Sequence, residues 1–224
     1  MALDLSHVNR ALADSGYVYL AEVPAGFDYP DELSRLGPFV PQYSGELIRD
    51  IRPDSNLARG MISADGFTDL RPHTEWYEFP GLPPRYVALW CVRPCLDEGG
   101  ETTIADGYRL LELFSAGERE RLAKELRSWR SHPTVGVERV ARHPILEQHD
   151  GVLILRFSTL DLSIDDELTA RYIEAGVEFF EKERFAIKMR RGSLLVWDNW
   201  RMIHARNSFT DPGRHLRRVL IAAA

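Results

Sequence analysis

Two metal-binding side chains sit in one short run, His73-Thr74-Glu75, and a further histidine, His204, lies 131 residues downstream with Arg214 and Arg218 just beyond it. Two imidazoles and one carboxylate on a rigid scaffold leave three positions of a six-coordinate ion open, the arrangement of non-haem Fe(II) sites. In extended chain, residues i and i+2 point to the same side, so a strand at 73–75 aims His73 and Glu75 inward and turns Thr74 away. His204, in an Ile-His-Ala-Arg segment, completes the set if its strand lies across the interior from them. Alone the triplet says little, because a histidine and a glutamate two apart recur by chance.

The other histidines differ. His7, His132 and His143 have no carboxylate or histidine at an interval of two and read as caps, turns or surface groups. His149 has Glu147 at that interval but lies in a polar Glu-Gln-His-Asp-Gly turn. His215 alternates with Arg214, so it faces away from the two arginines if that segment is a strand.

The elements that must position these residues are mostly short strands. Leu5, Val8 and Leu12 fall at helical spacing with Gly16 as a stop, and residues 17–20 follow as a strand. From 37 to 70 the chain is interrupted by Pro41, Gly45, Pro53, Gly60 and Gly66, which predicts loops and brief strands. Residues 85–93, bounded by prolines and rich in β-branched and aromatic side chains, form the clearest strand. Leu122, Leu126 and Trp129 predict one helix within 109–130, and Leu168, Tyr172 and Phe179 predict another, opened by a capping box of Ser163 and Asp166. Strands are expected at 151–157, 185–189, 193–197 and 216–222, with 202–206 between the last two. This succession predicts a mainly β chain with flanking helices, a double-stranded β-helix (jelly-roll) core, and one domain over 1–224.

Composition narrows the partners. The 224 residues are 44% hydrophobic, enough for a core, and no stretch approaches the ~20 apolar residues of a membrane span. The N-terminus lacks the basic and apolar regions of a secretory signal, so a cytoplasmic protein with no membrane partner is expected. Only two cysteines occur, Cys91 and Cys95, which argues against a disulfide framework and suits a reducing compartment that keeps iron ferrous. A formal charge of −6 disfavours nucleic acid as the main partner, so the arginines near His204 need a local explanation.

Several segments then align. His73-Thr74-Glu75, Pro83-Pro84, Gly99-Gly100-Glu101-Thr102, His143-Pro144-Ile145, Trp197-Asp198-Asn199, His204, and Arg214 with Arg218 occur in the order found in the taurine dioxygenase and clavaminate synthase-like superfamily. From about residue 70 onward the chain resembles an Fe(II)- and 2-oxoglutarate-dependent oxygenase. The resemblance implies that His73, Glu75 and His204 hold Fe(II), that Thr102 and Arg214 hold 2-oxoglutarate, and that O2 is the second cosubstrate. A guanidinium fork suits a buried carboxylate because it is always charged and can bind in bidentate fashion. Arg218, four residues on and on the same strand face, is expected to take an acidic group of the substrate, with a salt bridge to a nearby acid as its alternative. Trp76 is expected in the pocket, beside Tyr77 and Phe79, and Arg156 is a buried arginine for a substrate carboxylate. Asp198 and Asn199 are expected to anchor the His204 strand or a neighbouring ligand.

Many relatives carry aspartate at the Glu75 position, whereas amino-acid hydroxylases of the clavaminate synthase-like branch often carry glutamate. Halogenating relatives have a small residue there, so Glu75 argues against halogenation. The implied reaction is hydroxylation of an unactivated C–H bond in a small acidic or zwitterionic molecule, an amino acid or a specialised-metabolite precursor. Desaturation, cyclisation or C–X cleavage on the same scaffold, or a non-oxygenase metal-binding barrel, are the alternatives.

Overall fold

The computed structural model describes residues 4–23, 27–57, 63–133, 136 and 138–223. Helix α1 (Leu5–Ser15) starts where the Asp4 side chain accepts the His7 backbone N–H. It stops at Gly16, whose φ of 77° is left-handed and whose N–H bonds the Leu12 carbonyl. A side chain at Gly16 would also collide with the Met202 sulfur, so glycine is needed twice over. The chain then enters β1 (Tyr17–Leu20) as expected. After α2 (Tyr29–Ser34), the interrupted region contains β2 (Ile48–Ile51) before β3 (Leu70–His73) begins; Gly60 lies outside the described residues.

Two antiparallel sheets make the body. In the larger, the order is β1, β11 (Leu194–Asp198), β4 (Tyr86–Arg93), β13 (His215–Ile221), β2; in the smaller it is β10 (Phe185–Ile187), β5 (Thr102–Asp106), β12 (Met202–Arg206), β3. Strands near both chain ends, β1 and β13, thus share one sheet. Strand alternation sorts the side chains: Ile104 and Met202 join Val87, Leu195, Trp197 and Leu216 between the sheets, while Ala105 and Ile203 face a helix layer outside. That outer layer includes α5 (Glu167–Glu183), which packs Tyr172 and Phe180 against Phe157 and the smaller sheet. On the opposite side α1 and α2 cover the larger sheet through Val8, Leu12 and Leu33. Each fully buried Leu or Val contributes roughly 1.5–3 kcal/mol, so all three layers hold the barrel closed. The jelly-roll expectation is met.

Two helix expectations need correction. The segment 109–130 is not one helix but α3 (Gly107–Leu110), a 3-10 turn (Leu111–Leu113), α4 (Ala116–Lys124) and a strand, β6 (Arg127–Arg130). Ser115 and Glu118 form a reciprocal capping box that starts α4 afresh. Trp129 is buried, as its size demands, but from a strand that pairs with β7 (Val140–His143), and its indole N–H bonds the His143 carbonyl. Leu126 is 50% exposed, so the apparent helical stripe is a coincidence of spacing. The cap of α5 is Asp166, which accepts the Thr169 N–H at 2.7 Å; Ser163 instead donates its backbone N–H to Ser128. A second hairpin, β8 (Leu146–His149) and β9 (Val152–Leu155), turns at Asp150 and Gly151, both with positive φ; Glu147, Gln148 and His149, expected in the same turn, belong to β8 instead. Among the described residues no helix is long and apolar enough to cross a membrane.

Candidate active site

His73 closes β3 and stands directly opposite His204 in the antiparallel register with β12, with ring centroids 4.3 Å apart. Strand alternation does not place Glu75 as expected, because β3 ends at His73 and Glu75 lies in the turn beyond it. That turn is held by long-range bonds instead. Thr74 exchanges hydrogen bonds with the Phe157 backbone through its own N–H and Oγ1. Asn199 grips Glu75 from both sides: its Oδ1 accepts the Glu75 N–H at 2.7 Å, and its Nδ2 donates to the Glu75 carbonyl at 3.1 Å and to that of Pro84 at 3.0 Å. The expectation that Asn199 anchors a ligand is thereby given a geometry. The next residue, Trp76, has φ of 60°, unusual for an aromatic side chain, and this reverses the chain so that carboxylate and indole both reach the interior.

The ligand atoms of His73, Glu75 and His204 all lie within 4.8 Å of one another, and His204 Nε2 is 3.7 Å from Glu75 Oε1. His73 Nδ1 donates to the Arg71 carbonyl at 2.8 Å, which leaves its Nε2 lone pair for a ligand bond. Burial and the neighbouring His204 push the His73 imidazole down to about 4, so it is neutral at physiological pH. Burial alone would raise the Glu75 carboxyl, but the Arg218 charge and the nearby His204 hold it below the ordinary carboxylate range. One carboxylate and two imidazoles whose ligand atoms converge therefore fit a divalent first-row ion with open positions.

Arg218 and Arg214 both point inward from the C-terminal strand region, and His215 points away to Asp50, as the alternation predicts. Arg218 is tied down: Nη1 donates to Glu75 Oε1 at 2.5 Å, Nε donates to Gln42 Oε1 at 2.9 Å, and Gln42 returns a bond to the Arg218 carbonyl. Of its two expected roles, the salt bridge is the one present here. Arg214 is equally buried, at 4% exposure, yet its guanidinium has a single long bond to the Gly100 carbonyl, 3.4 Å, and no acidic partner within ion-pair distance among the described residues. Burial pulls its pKa below the usual value. Gly99 and Gly100, with φ of 83° and 71°, bring the loop before β5 against this arginine; a Cβ on Gly100 would sit 3.1 Å from Cys95 Sγ. Thr102 is buried at the start of β5 on the same strand face as Ile104, toward the interior.

A cavity of about 250 Å³ opens beside the triad, walled by His73, Glu75, Trp76, Tyr77 and Arg218. Trp76 lines it as expected, with a buried indole N–H that has no partner among the described residues. Phe79 packs behind Trp76. Arg156 is a correction: its guanidinium pairs with Glu147 at 2.7 Å and bonds the Pro144 carbonyl, under the β8–β9 hairpin and off the cavity wall. A 1%-exposed arginine needs a counter-charge, and Glu147 meets that need locally. Tyr43, Arg49, His132 and Asp161 also line the cavity, which their sequence surroundings do not predict. His132 reads as a surface group because no ligand-type residue stands two positions away. Asp161 has a readable sign: Ser158 and Asp161 form a turn in which Ser158 Oγ accepts the Asp161 N–H, and Tyr77 donates to Asp161 at 2.5 Å.

A jelly roll with two histidines and a carboxylate on one inner wall defines a mononuclear metal barrel of the non-haem iron type. The chain belongs to the taurine catabolism dioxygenase TauD, TfdA family, which it matches over residues 2–220, and that family's members are 2-oxoglutarate-dependent non-haem iron dioxygenases. It is 24% identical over 235 residues to gamma-butyrobetaine dioxygenase from Homo sapiens, covering 94% of this chain and 59% of that protein. It is 26% identical to 3-((Z)-2-isocyanoethenyl)-1H-indole synthase from Fischerella ambigua (strain UTEX 1903), over 64% of this chain and 60% of that one. The chain thus spans about three fifths of the length of these curated relatives. Among solved structures it resembles asparagine oxygenase in complex with Fe(II), 2S,3S-3-hydroxyasparagine and succinate, with a TM-score of 0.78 and 22% identity over 98% of this chain and 78% of that one. It also resembles the non-haem iron oxygenase OrfP bound to Fe, succinate and (3R,4R)-dihydroxy-L-Arg, with a TM-score of 0.75 and 19% identity over 99% and 80% of the two chains.

Proposed function

We propose that this chain is an Fe(II)- and 2-oxoglutarate-dependent dioxygenase that hydroxylates an unactivated C–H bond of a small acidic or zwitterionic molecule. The observation that carries this reading is the convergence of the His73, Glu75 and His204 ligand atoms within 4.8 Å beside a cavity that His73 and Glu75 line, with the buried and unmatched Arg214 on the same barrel interior. His73, Glu75 and His204 are the metal ligands, and Thr102 with Arg214 seats the distal carboxylate of 2-oxoglutarate. Bound iron supplies the coordination sites at which 2-oxoglutarate and O2 react. The chain's part is to bind, orient and exclude water. Asn199 sets the direction of the Glu75 carboxylate, and His73 stays neutral so that no proton competes for its lone pair. Trp76 and Tyr77 wall the cavity and keep solvent from the reacting C–H bond.

Cavity chemistry supports a zwitterion. Arg218, which uses Nη1 for Glu75 and Nε for Gln42, still lines the cavity with the rest of its guanidinium, and the Asp161 carboxyl lies on the same wall, so one molecule carrying a carboxylate and an amino group meets both. The asparagine and arginine products in the similar solved structures support an amino acid or a closely related metabolite. Desaturation on the same scaffold is a second reading, favoured by the likeness to the isocyanoethenyl-indole synthase. Two free, buried cysteines support a reducing, cytoplasmic setting. One jelly-roll unit over 1–224 is supported by β1 and β13 sharing a sheet.

Anaerobic titration with Fe(II) and 2-oxoglutarate tests the core claim. A visible metal-to-ligand charge-transfer band is expected, and its absence in folded, iron-loaded protein refutes it. Screening amino acids for succinate formation with product mass then separates the outcomes: hydroxylation adds one oxygen, whereas desaturation removes two hydrogens.

A further inference from the structure

Arg206 is a third inward arginine, two residues past His204 on β12 and 4% exposed. A buried guanidinium ordinarily has a carboxylate against it, because removing a cation from water is costly. Arg206 has none within ion-pair distance among the described residues. It donates instead to a ring of backbone carbonyls in one segment: Nη1 to Ala64 at 2.7 Å, and Nη2 to Gly66 at 2.8 Å, Thr68 at 2.5 Å and Ser63 at 3.5 Å. That segment is part of the substrate cavity, since Ser63 and Ala64 line its wall and Asp65 pairs with Arg49, another wall residue. It also leads directly into β3 and His73.

The same guanidinium is coupled to Arg214. Both lie 5.0 Å from the centroid of one phenyl ring, Phe209, and the Arg214 charge bears on Arg206. Phe209 is in turn bound to the segment, through its N–H to the Phe67 carbonyl at 3.1 Å and through ring contact with Phe67. Two like charges buried on one ring repel, and the acids that bear on them, Asp65 and Asp69 on Arg206 and Glu101 on Arg214, stand outside ion-pair distance. An anion arriving at Arg214 offsets that repulsion and so strengthens the hold of Arg206 on the loop carbonyls.

We propose that Arg206 is a positioning residue through which filling of the Arg214 seat by the distal carboxylate of 2-oxoglutarate tightens residues 63–68 against the substrate cavity. The inference rests on the reading of Arg214 given above. Its consequence is reciprocal: cosubstrate completes the cavity wall, and by linkage the tightened wall strengthens cosubstrate binding by the same factor.

Hydrogen–deuterium exchange over residues 63–70, with Fe(II) present and O2 excluded, tests this, with cosubstrate affinity measured calorimetrically on the same samples. In the wild-type protein 2-oxoglutarate should slow exchange there by about tenfold, within the usual range of coupling between sites. Saturating 2-oxobutyrate, which has the chelating end but no distal carboxylate, should give little protection. Arg206→Met should still bind 2-oxoglutarate, by about tenfold less tightly, and lose the protection. Arg206→Lys keeps the charge without the fork and should show less than half of the wild-type protection; if the Met variant fails to fold, this one decides. Undiminished protection in either folded variant that binds 2-oxoglutarate, or equal protection by 2-oxobutyrate, overturns the coupling and leaves the cosubstrate reading standing. Failure of wild type to bind 2-oxoglutarate, or unaltered binding by Arg214→Ala, overturns the reading of Arg214 and the coupling with it.

Discussion

Arg214 and Arg218 come from one stretch of chain and point into one barrel, yet the structure treats them oppositely. Arg218 is matched, donating to Glu75 and Gln42; Arg214 is buried beside a glycine carbonyl and a phenyl ring with no acid to meet it among the described residues. A matched buried charge contributes to the fold, because losing its partner strands the other charge. An unmatched one costs the fold stability and is retained where a ligand supplies the missing anion. The comparison therefore separates a residue that organises the metal site from one that receives a cosubstrate, although their sequence signatures are alike.

Removing the acid that Arg218 matches should have the largest effect. Glu75→Ala deletes an anionic ligand and strands Arg218, so substrate-coupled succinate formation should fall to background and the metal-free protein should lose about 3–5 kcal/mol in denaturant unfolding. Retained turnover would show that another carboxylate serves the metal. Next, Arg214→Ala should raise the 2-oxoglutarate KM by about a hundredfold or more while moving the substrate KM much less. Because it removes an uncompensated cation, Arg214→Met should leave metal-free stability unchanged or improved, whereas Arg218→Met should destabilise. Equal losses in the two would break the contrast.

Asn199→Ala, which frees the Glu75 backbone without touching either arginine, should weaken Fe(II) or Mn(II) binding by roughly 10–100-fold, the usual range for residues that orient ligands. Acidification of the metal-free protein should act in two stages. The folded His73 pKa, about 4, lies below its ordinary 6.5, so its contribution to stability is complete above pH 6.5 and is lost as pH falls toward 4. Glu75 is also held below its ordinary 4.5, so its contribution begins to fade only under that pH. Urea midpoints at descending pH read both stages, and a fall confined to the region under pH 4.5 would mean that His73 is not held neutral. The smallest effect is expected for Gly100→Ala: a left-handed φ with a side chain costs roughly 1–2 kcal/mol, and crowding against Cys95, next to the Arg214 seat, should raise the 2-oxoglutarate KM modestly.

Much of the fold is legible in the amino-acid sequence. The strand segments around 85–93, 193–197, 202–206 and 216–222 can be read because β-branched and aromatic runs between breakers have few other uses. The α1–Gly16–β1 passage is equally plain, since its stop is a glycine that the backbone requires. The segment 109–130 misleads because Leu122, Leu126 and Trp129 have helical spacing, while the local Ser115–Glu118 cap and the pairing of β6 with β7 decide the matter. At the site, His73 and His204 are legible, but the reason for Glu75 is not. It depends on Asn199, 124 residues away, rather than on strand alternation. His132 escapes a sequence reading because a wall residue need only face a cavity, and no periodicity marks that; for Asp161 the Ser158 turn is readable but its place on the wall is not.

By itself the sequence determined the chemical inventory: two imidazoles, one carboxylate, inward arginines at an even spacing, and enough alternating strand to enclose them. Those properties are local, set by side-chain type and a repeat of two residues. Which arginine is matched, which way Glu75 faces and which loop Arg206 holds were decided only by the tertiary structure. Each rests on a contact between residues more than a hundred positions apart, and buried charges are paired or left unpaired only when the whole barrel closes around them.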